Sequence, residues 1–157
     1  MLYAPLLTIA LLTWNVLVVY VAWAAPPGLL PPAHTQGAVT YVSGGIGREE
    51  AQTFAAALNQ YPLALEFAAR HQGHQAFITQ VHTIISLPQG QVLLDIWSQG
   101  PFLLIKLPSD DYLVSATYEG STLIHRVHVT SLKPVHILFL WNAPPSGDIQ
   151  VESASKP

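Results

Sequence analysis

Pro108-Ser109-Asp110-Asp111-Tyr112-Leu113-Val114-Ser115-Ala116-Thr117-Tyr118-Glu119-Gly120 reads as one strand held between two turns. Pro108, Ser109 and Asp110 supply the entering turn, and Glu119-Gly120 the leaving one. The same punctuation recurs outward from it. Pro88-Gln89-Gly90 and Gly100-Pro101 separate further short runs rich in Val, Ile, Leu and Thr, the residues strands favour. Strands are predicted near 76–86, 91–98, 102–107, 111–118, 121–130 and 134–141. Val135, Ile137, Phe139 and Trp141 fall on one face of the last, and Leu123, Val127 and Val129 on one face of the strand before it. Two antiparallel sheets packed face to face are the economical way to bury so many half-apolar strands.

Ahead of these runs the pattern is β-α-β. Residues 38–42 make a short strand, and Ser43-Gly44-Gly45-Ile46-Gly47 turns into a helix from Arg48 to Gln60. Glu49 and Glu50 suit its first turn, where the helix dipole favours negative charge. Phe54, Ala57, Leu58 and Tyr61 follow 3-and-4 spacing and form the buried stripe. Pro62 stops the helix. Leu63, Leu65 and Phe67 alternate with Ala64, Glu66 and Ala68, which reads as a second strand, and His71-Gln72-Gly73-His74 reads as a loop.

Two stretches carry a family resemblance. Tyr41-Val42-Ser43-Gly44-Gly45-Ile46-Gly47, followed by an acidic helix start, resembles the opening of small exported proteobacterial proteins named carboxypeptidase-regulatory-like. Residues 95–118 resemble that family's D-x-x-S-x-G-P-x-L-L-x-x-L-P-x-G-x-Y-x-V-x-A-x-Y core, with Asp111 where the family has Gly. Tyr61-Pro62 stands where Tyr-Asn is usual. The resemblance covers most of 38–141. It implies a mainly β domain with one α-helix, a transthyretin-like (prealbumin-like) antiparallel β-sandwich preceded by the β-α-β unit. It implies periplasmic export and no reaction, because this fold serves many binding modules. The likeness is to the accessory domain of the metallocarboxypeptidases. Their catalytic zinc needs a His-x-x-Glu pair, and no His of this chain has Glu at the third place after it.

Residues 1–25 contain no Asp, Glu, Lys, Arg or His, and 6–22 are almost wholly apolar. Ala22-Trp23-Ala24 offers the small residues of a signal-peptidase site, so 1–24 is expected to be a cleaved leader and the protein periplasmic or secreted. The alternative is an uncleaved inner-membrane anchor, since roughly 20 apolar residues span a bilayer. Membrane association is expected only through that segment. Residues 25–37 read as a Pro-rich linker, 38–142 as the domain and 143–157 as a disordered tail. The chain has no Cys, which excludes disulfides and a lipoprotein anchor. Six scattered Lys and Arg and a net charge of −3 argue against a nucleic-acid partner, which needs clustered positive charge.

The candidate sites are few. Ser43, Gly44, Gly45 and Gly47 precede a helix, where backbone N–H groups can face an anion, although the Gly-Lys-Ser/Thr end of a P-loop is missing. The competing reading is a tight turn with Gly at positive φ. His71 and His74 are three apart around Gly73 and offer two imidazoles to one metal ion. His125 and His128 point to opposite faces of their strand, and His82 meets a neighbour only if the register allows. Trp97, Tyr112 and Tyr118 are candidates for an aromatic surface taking glycan or peptide, whereas Trp141 belongs with the core. Asp95 shares a face with Trp97 and is either exposed or buried with a partner. Ser43 lacks a G-x-S-x-G elbow, and Asp110-Asp111 sits in a turn. No catalytic residue and no cofactor is therefore expected, and an envelope protein or a glycan is the expected partner.

Overall fold

In the computed structural model, residues 28–71 and 73–142 are described. The leader, its Ala22-Trp23-Ala24 site, Gln72 and the tail 143–157 lie outside them. No helix among the described residues is long and apolar enough to cross a membrane.

The elements run β1 (His34–Gln36), β2 (Val39–Gly44), α1 (Arg48–Ala57), a 3-10 turn (Leu58–Gln60), β3 (Leu63–His71), β4 (His74–Phe77), β5 (His82–Ser86), β6 (Val92–Trp97), β7 (Phe102–Lys106), β8 (Asp110–Tyr118), β9 (Ser121–Val129) and β10 (Val135–Asn142). Short Pro- and Gly-marked turns and β-branched runs produce this mainly β layout. One sheet has the order β1-β2-β7-β3-β10, with β4 also paired to β3, and the other has the order β6-β5-β8-β9.

The four-stranded sheet is wholly antiparallel. The six-stranded sheet is mixed, which corrects the expectation of antiparallel sheets throughout. β10 runs parallel to β3, from Val135 opposite Leu63 to Asn142 opposite Arg70. The β-α-β unit does not precede the sheet as a separate piece. β7 inserts between β2 and β3, antiparallel to both, so the helix crosses over a strand that comes later in the chain.

Two further differences are local. His34–Gln36, inside the stretch read as linker, forms β1 and pairs with Val39–Tyr41. The strand expected over 76–86 is two strands in different sheets. Between them Gln80 takes φ 57, its N–H donates to the Ser98 carbonyl, and the Val81 N–H donates to Ser98 Oγ at 3.0 Å. These bonds fix the chain as it passes from one sheet to the other.

Leu65, Phe67 and Phe139 of the mixed sheet face Ile85, Leu94, Tyr112 and Val114 of the other in one buried cluster. On the opposite side of the mixed sheet, Phe54 and Ala57 of the predicted stripe are buried against Val42, Ala64, Phe102 and Leu104, with Leu58 and Tyr61 packed beside them. The molecule is thus a helix layer, a mixed sheet and an antiparallel sheet. Burying a side chain such as Phe54 contributes about 1.5–3 kcal/mol.

Tyr112 is 1% exposed, and its hydroxyl donates to the Pro108 carbonyl at 2.8 Å. Burial, and then the nearby Asp110 carboxylate, push its pKa above the ordinary 10.0. A raised tyrosine pKa gives stability that is complete below the unfolded value and is lost as pH rises through the folded one. Denaturant titrations should show falling stability above pH about 10, and Tyr112→Phe should flatten that fall. The variant should also lose about 1 kcal/mol at neutral pH with its hydrogen bond. A pH profile identical in both chains would contradict this.

Candidate functional site

The four-stranded sheet turns one face to the core, and no element among the described residues covers the other. Strand alternation decides which side chains stand on that open face. Thr83, Ile85, Leu94, Val114 and Ala116 point inward and are buried. Their neighbours His82, Ile84, Asp95, Trp97, Ser115 and Thr117 therefore point outward.

Register aligns them in rows. His82 lies opposite Trp97 on one side and Thr117 on the other, and Thr117 lies opposite Thr122. The row Trp97-His82-Thr117-Thr122 thus crosses all four strands, about 14 Å at ordinary strand spacing. In the adjacent row, Ile84 lies between Asp95 and Ser115, and Ser115 faces Ile124.

The contacts along these rows are specific. The His82 imidazole stacks on the Trp97 indole at 4.8 Å between centroids and 17° between planes. His82 Nε2 lies 2.6 Å from Asp95 Oδ1. The Thr117 and Thr122 hydroxyls are 2.8 Å apart. Trp97 nevertheless remains 66% exposed and Ile124 63%, so the row presents an indole and hydroxyls to solvent rather than to the fold. Asp95 is half-exposed, and its backbone N–H donates to Gln36 Oε1 at 3.2 Å, which ties this sheet to β1 of the other.

The remaining His–carboxylate pairs are separate. His128 Nδ1 meets Asp111 Oδ1 at 2.8 Å at the far end of the same sheet, and His136 Nε2 meets Glu66 Oε2 at 2.8 Å on the mixed sheet.

The glycine turn is built for packing. Ser43 is buried; its Oγ donates to the Phe102 carbonyl at 3.3 Å and accepts the Gln99 N–H at 2.9 Å. Gly45 and Gly47 take φ 95 and 86, as only glycine does readily. The Ile46 N–H that precedes the helix donates to Glu50 Oε2 at 3.0 Å. The chain's own carboxylate thus takes the N–H in front of the helix, and Ser43, Gly44, Gly45 and Gly47 are engaged in the turn itself. A groove of about 880 Å³ between Leu29–Pro32 and the helix start lies beside it.

His71 and His74 are cross-strand partners at the end of the β3–β4 hairpin, with Gly73 in the turn at φ 81. No cluster of three or more His, Cys, Asp or Glu among the described residues is placed to hold a metal. The hairpin brings together two imidazoles, against the four ligands of a closed zinc site.

The aromatic trio is not one surface. Trp97 is exposed, whereas Tyr112 is in the core, which corrects its assignment to a surface. Tyr118 is half-buried with its ring 5.8 Å from Trp141, and Trp141 itself is 4% exposed. The residues that accompany Trp97 are instead His82, Thr117 and Thr122, which the sequence reading did not place there. For Thr117 and Thr122 the signal existed, because a two-residue Glu119-Gly120 turn sets them opposite each other.

No protein-family model matches the chain, and no curated protein matches it.

Proposed function

We propose that this chain is a non-catalytic, exported binding module of the cell envelope with a transthyretin-like sandwich, and that it takes a glycan on the open face of its four-stranded sheet. The observation that carries the reading is the exposed Trp97 indole, backed by His82 and continued by the Thr117 and Thr122 hydroxyls. An indole plane accepts the C–H face of a sugar ring, the hydroxyls in line with it donate and accept hydrogen bonds, and the Asp95 carboxylate in the adjacent row accepts them. The row lies on an open sheet face, and the His82–Asp95 pair lines neither the groove at the helix start nor the recess of about 520 Å³ beside Phe77 and Tyr118. That geometry suits holding an extended ligand more than enclosing a reacting bond. The export half of the reading rests on the charge-free, apolar first 25 residues.

The test is calorimetric titration with soluble fragments of cell-wall glycan. Wild type should bind, and Trp97→Ala should weaken binding by roughly 2 kcal/mol, as loss of an aromatic anchor does, with an unchanged circular dichroism spectrum. The fragments should be recovered uncut. Absence of binding, or binding indifferent to Trp97→Ala, would sink the reading. Cleaved fragments would replace a binding module with an enzyme.

A further inference from the structure

We propose that the free edge of β10 is a self-association surface, through which two copies pair antiparallel about a two-fold axis at Phe139. This surface is separate from the open face carrying Trp97, which lies on the other sheet.

β10 ends the strand order of the mixed sheet, so among the described residues no strand pairs with its outer side. The Val135 N–H donates inward, to the Pro62 carbonyl at 2.9 Å. In a parallel pair, alternate residues turn both backbone groups to the same neighbour. Ile137, Phe139 and Trp141 thus serve β3, while His136, Leu138, Leu140 and Asn142 turn N–H and C=O to the free edge.

Exposed edges are ordinarily blunted by shortness, bulges or charge, and the other edges of this fold follow that rule. β1 has only 3 residues, and β4, paired on one side to β3, has 4. The β5–β6 ladder bears a register shift at Ile85/Ser86, and β6 carries Asp95, whose edge N–H is taken by Gln36. β9 carries His125, Arg126 and His128. β10 has 8 residues, an uninterrupted register, no Pro and no Asp, Glu, Lys or Arg. Leu138 on it is 42% exposed.

The edge is complementary to itself. An axis at Phe139 sets Leu138 opposite Leu140 of the second copy and His136 opposite Asn142 of the second copy. Those are the residues whose backbone groups face outward, so each meets an outward-facing partner. The outer face then joins leucines across the seam, and no like charges meet. The one ionisable side chain of the strand, His136, is already paired with Glu66 of its own sheet at 2.8 Å, so no charge opposes a second copy, and the result is one continuous sheet through both molecules.

The chain has no cysteine, which makes the test clean. Whole chains carrying Leu138→Cys are co-expressed with whole chains carrying Leu140→Cys, and the cells are treated with diamide. A hydrogen-bonded antiparallel pair has Cα atoms about 5.5 Å apart, inside the disulfide range, whereas like positions lie on a diagonal of about 7–8 Å. The mixture should give a disulfide-linked dimer at least about tenfold above either chain alone. The out-of-register mixture of His136→Cys with Leu140→Cys should give no more than background. No dimer from the first mixture, or equal dimer from both, overturns the proposal. Sedimentation of the unmodified chain provides a second arm that no substitution can compromise: a dimer is expected, and a monomer at micromolar concentration overturns it.

Discussion

Gly100→Ala should be among the most damaging single substitutions in the domain, costing about 3 kcal/mol or more. A Cβ at Gly100 would sit 2.1 Å from the Gly44 carbonyl oxygen and 2.3 Å from its carbon. The obstacle is main chain, which has no rotamer to change. Relief means parting the loop before β7 from the end of β2, and Ser43 Oγ bridges these two segments through Gln99 and Phe102. Moving them breaks those bonds and shifts Phe102, the residue on which Phe54 of the helix stacks at 5.7 Å. Equilibrium denaturation should show the loss as a lower midpoint at unchanged slope. Gly47→Ala is the control. A Cβ there meets nothing within 4 Å, but the backbone has φ 86 and ψ 160, so the expected cost is about 1–3 kcal/mol of backbone strain alone. Equal effects at the two positions would refute the close-approach argument.

Phe67→Ala should cost about 3–5 kcal/mol. Phe67 is fully buried and lies opposite Phe139 in the β3–β10 ladder, with ring centroids 5.9 Å apart and Trp141 at 6.5 Å. Removing it leaves a cavity between the sheets and strips two other rings of a packing partner. Domains of this kind have net stabilities of about 5–15 kcal/mol, so the variant is expected to populate unfolded chain measurably at 37 °C. Leu132→Ala, between β9 and β10, is the comparison. Its side chain is 94% exposed, so under about 1 kcal/mol should be lost from the fold. A loss at Phe67 no larger than at Leu132 would mean that the two sheets are not held by this aromatic cluster.

What was legible in the sequence was local. The helix stripe of Phe54, Ala57, Leu58 and Tyr61 follows from period alone, and most strand limits follow from Gly and Pro. The reading of Tyr112 as surface overlooks its parity with Val114 and Ala116, a local signal that marks it as core. What was not legible depends on distant partners. Residues 78–82 contain no Gly or Pro, yet the chain breaks there because Ser98, far along the sequence, holds Gln80 and Val81. His82 reaches Trp97 only because the register shift at Ile85/Ser86 moves the pairing by one residue. Counting back from the Pro88-Gln89-Gly90 turn without that shift places His82 opposite Ile96. The order of strands in the mixed sheet has the same character, since β7 lies between β2 and β3 by long-range pairing that no neighbouring residue encodes.

The parallel pairing of β10 with β3 has a consequence for how the chain is made. β3 is left with one flank bare until residues 135–142 arrive, and among the described residues that partner is the last strand in chain order. Closing that pairing spans most of the domain, an arrangement that slows folding. Until those residues are made the mixed sheet lacks the strand beside Phe67, so a nascent chain that stops short of residue 142 is expected to lack the Phe67–Phe139 packing between its sheets.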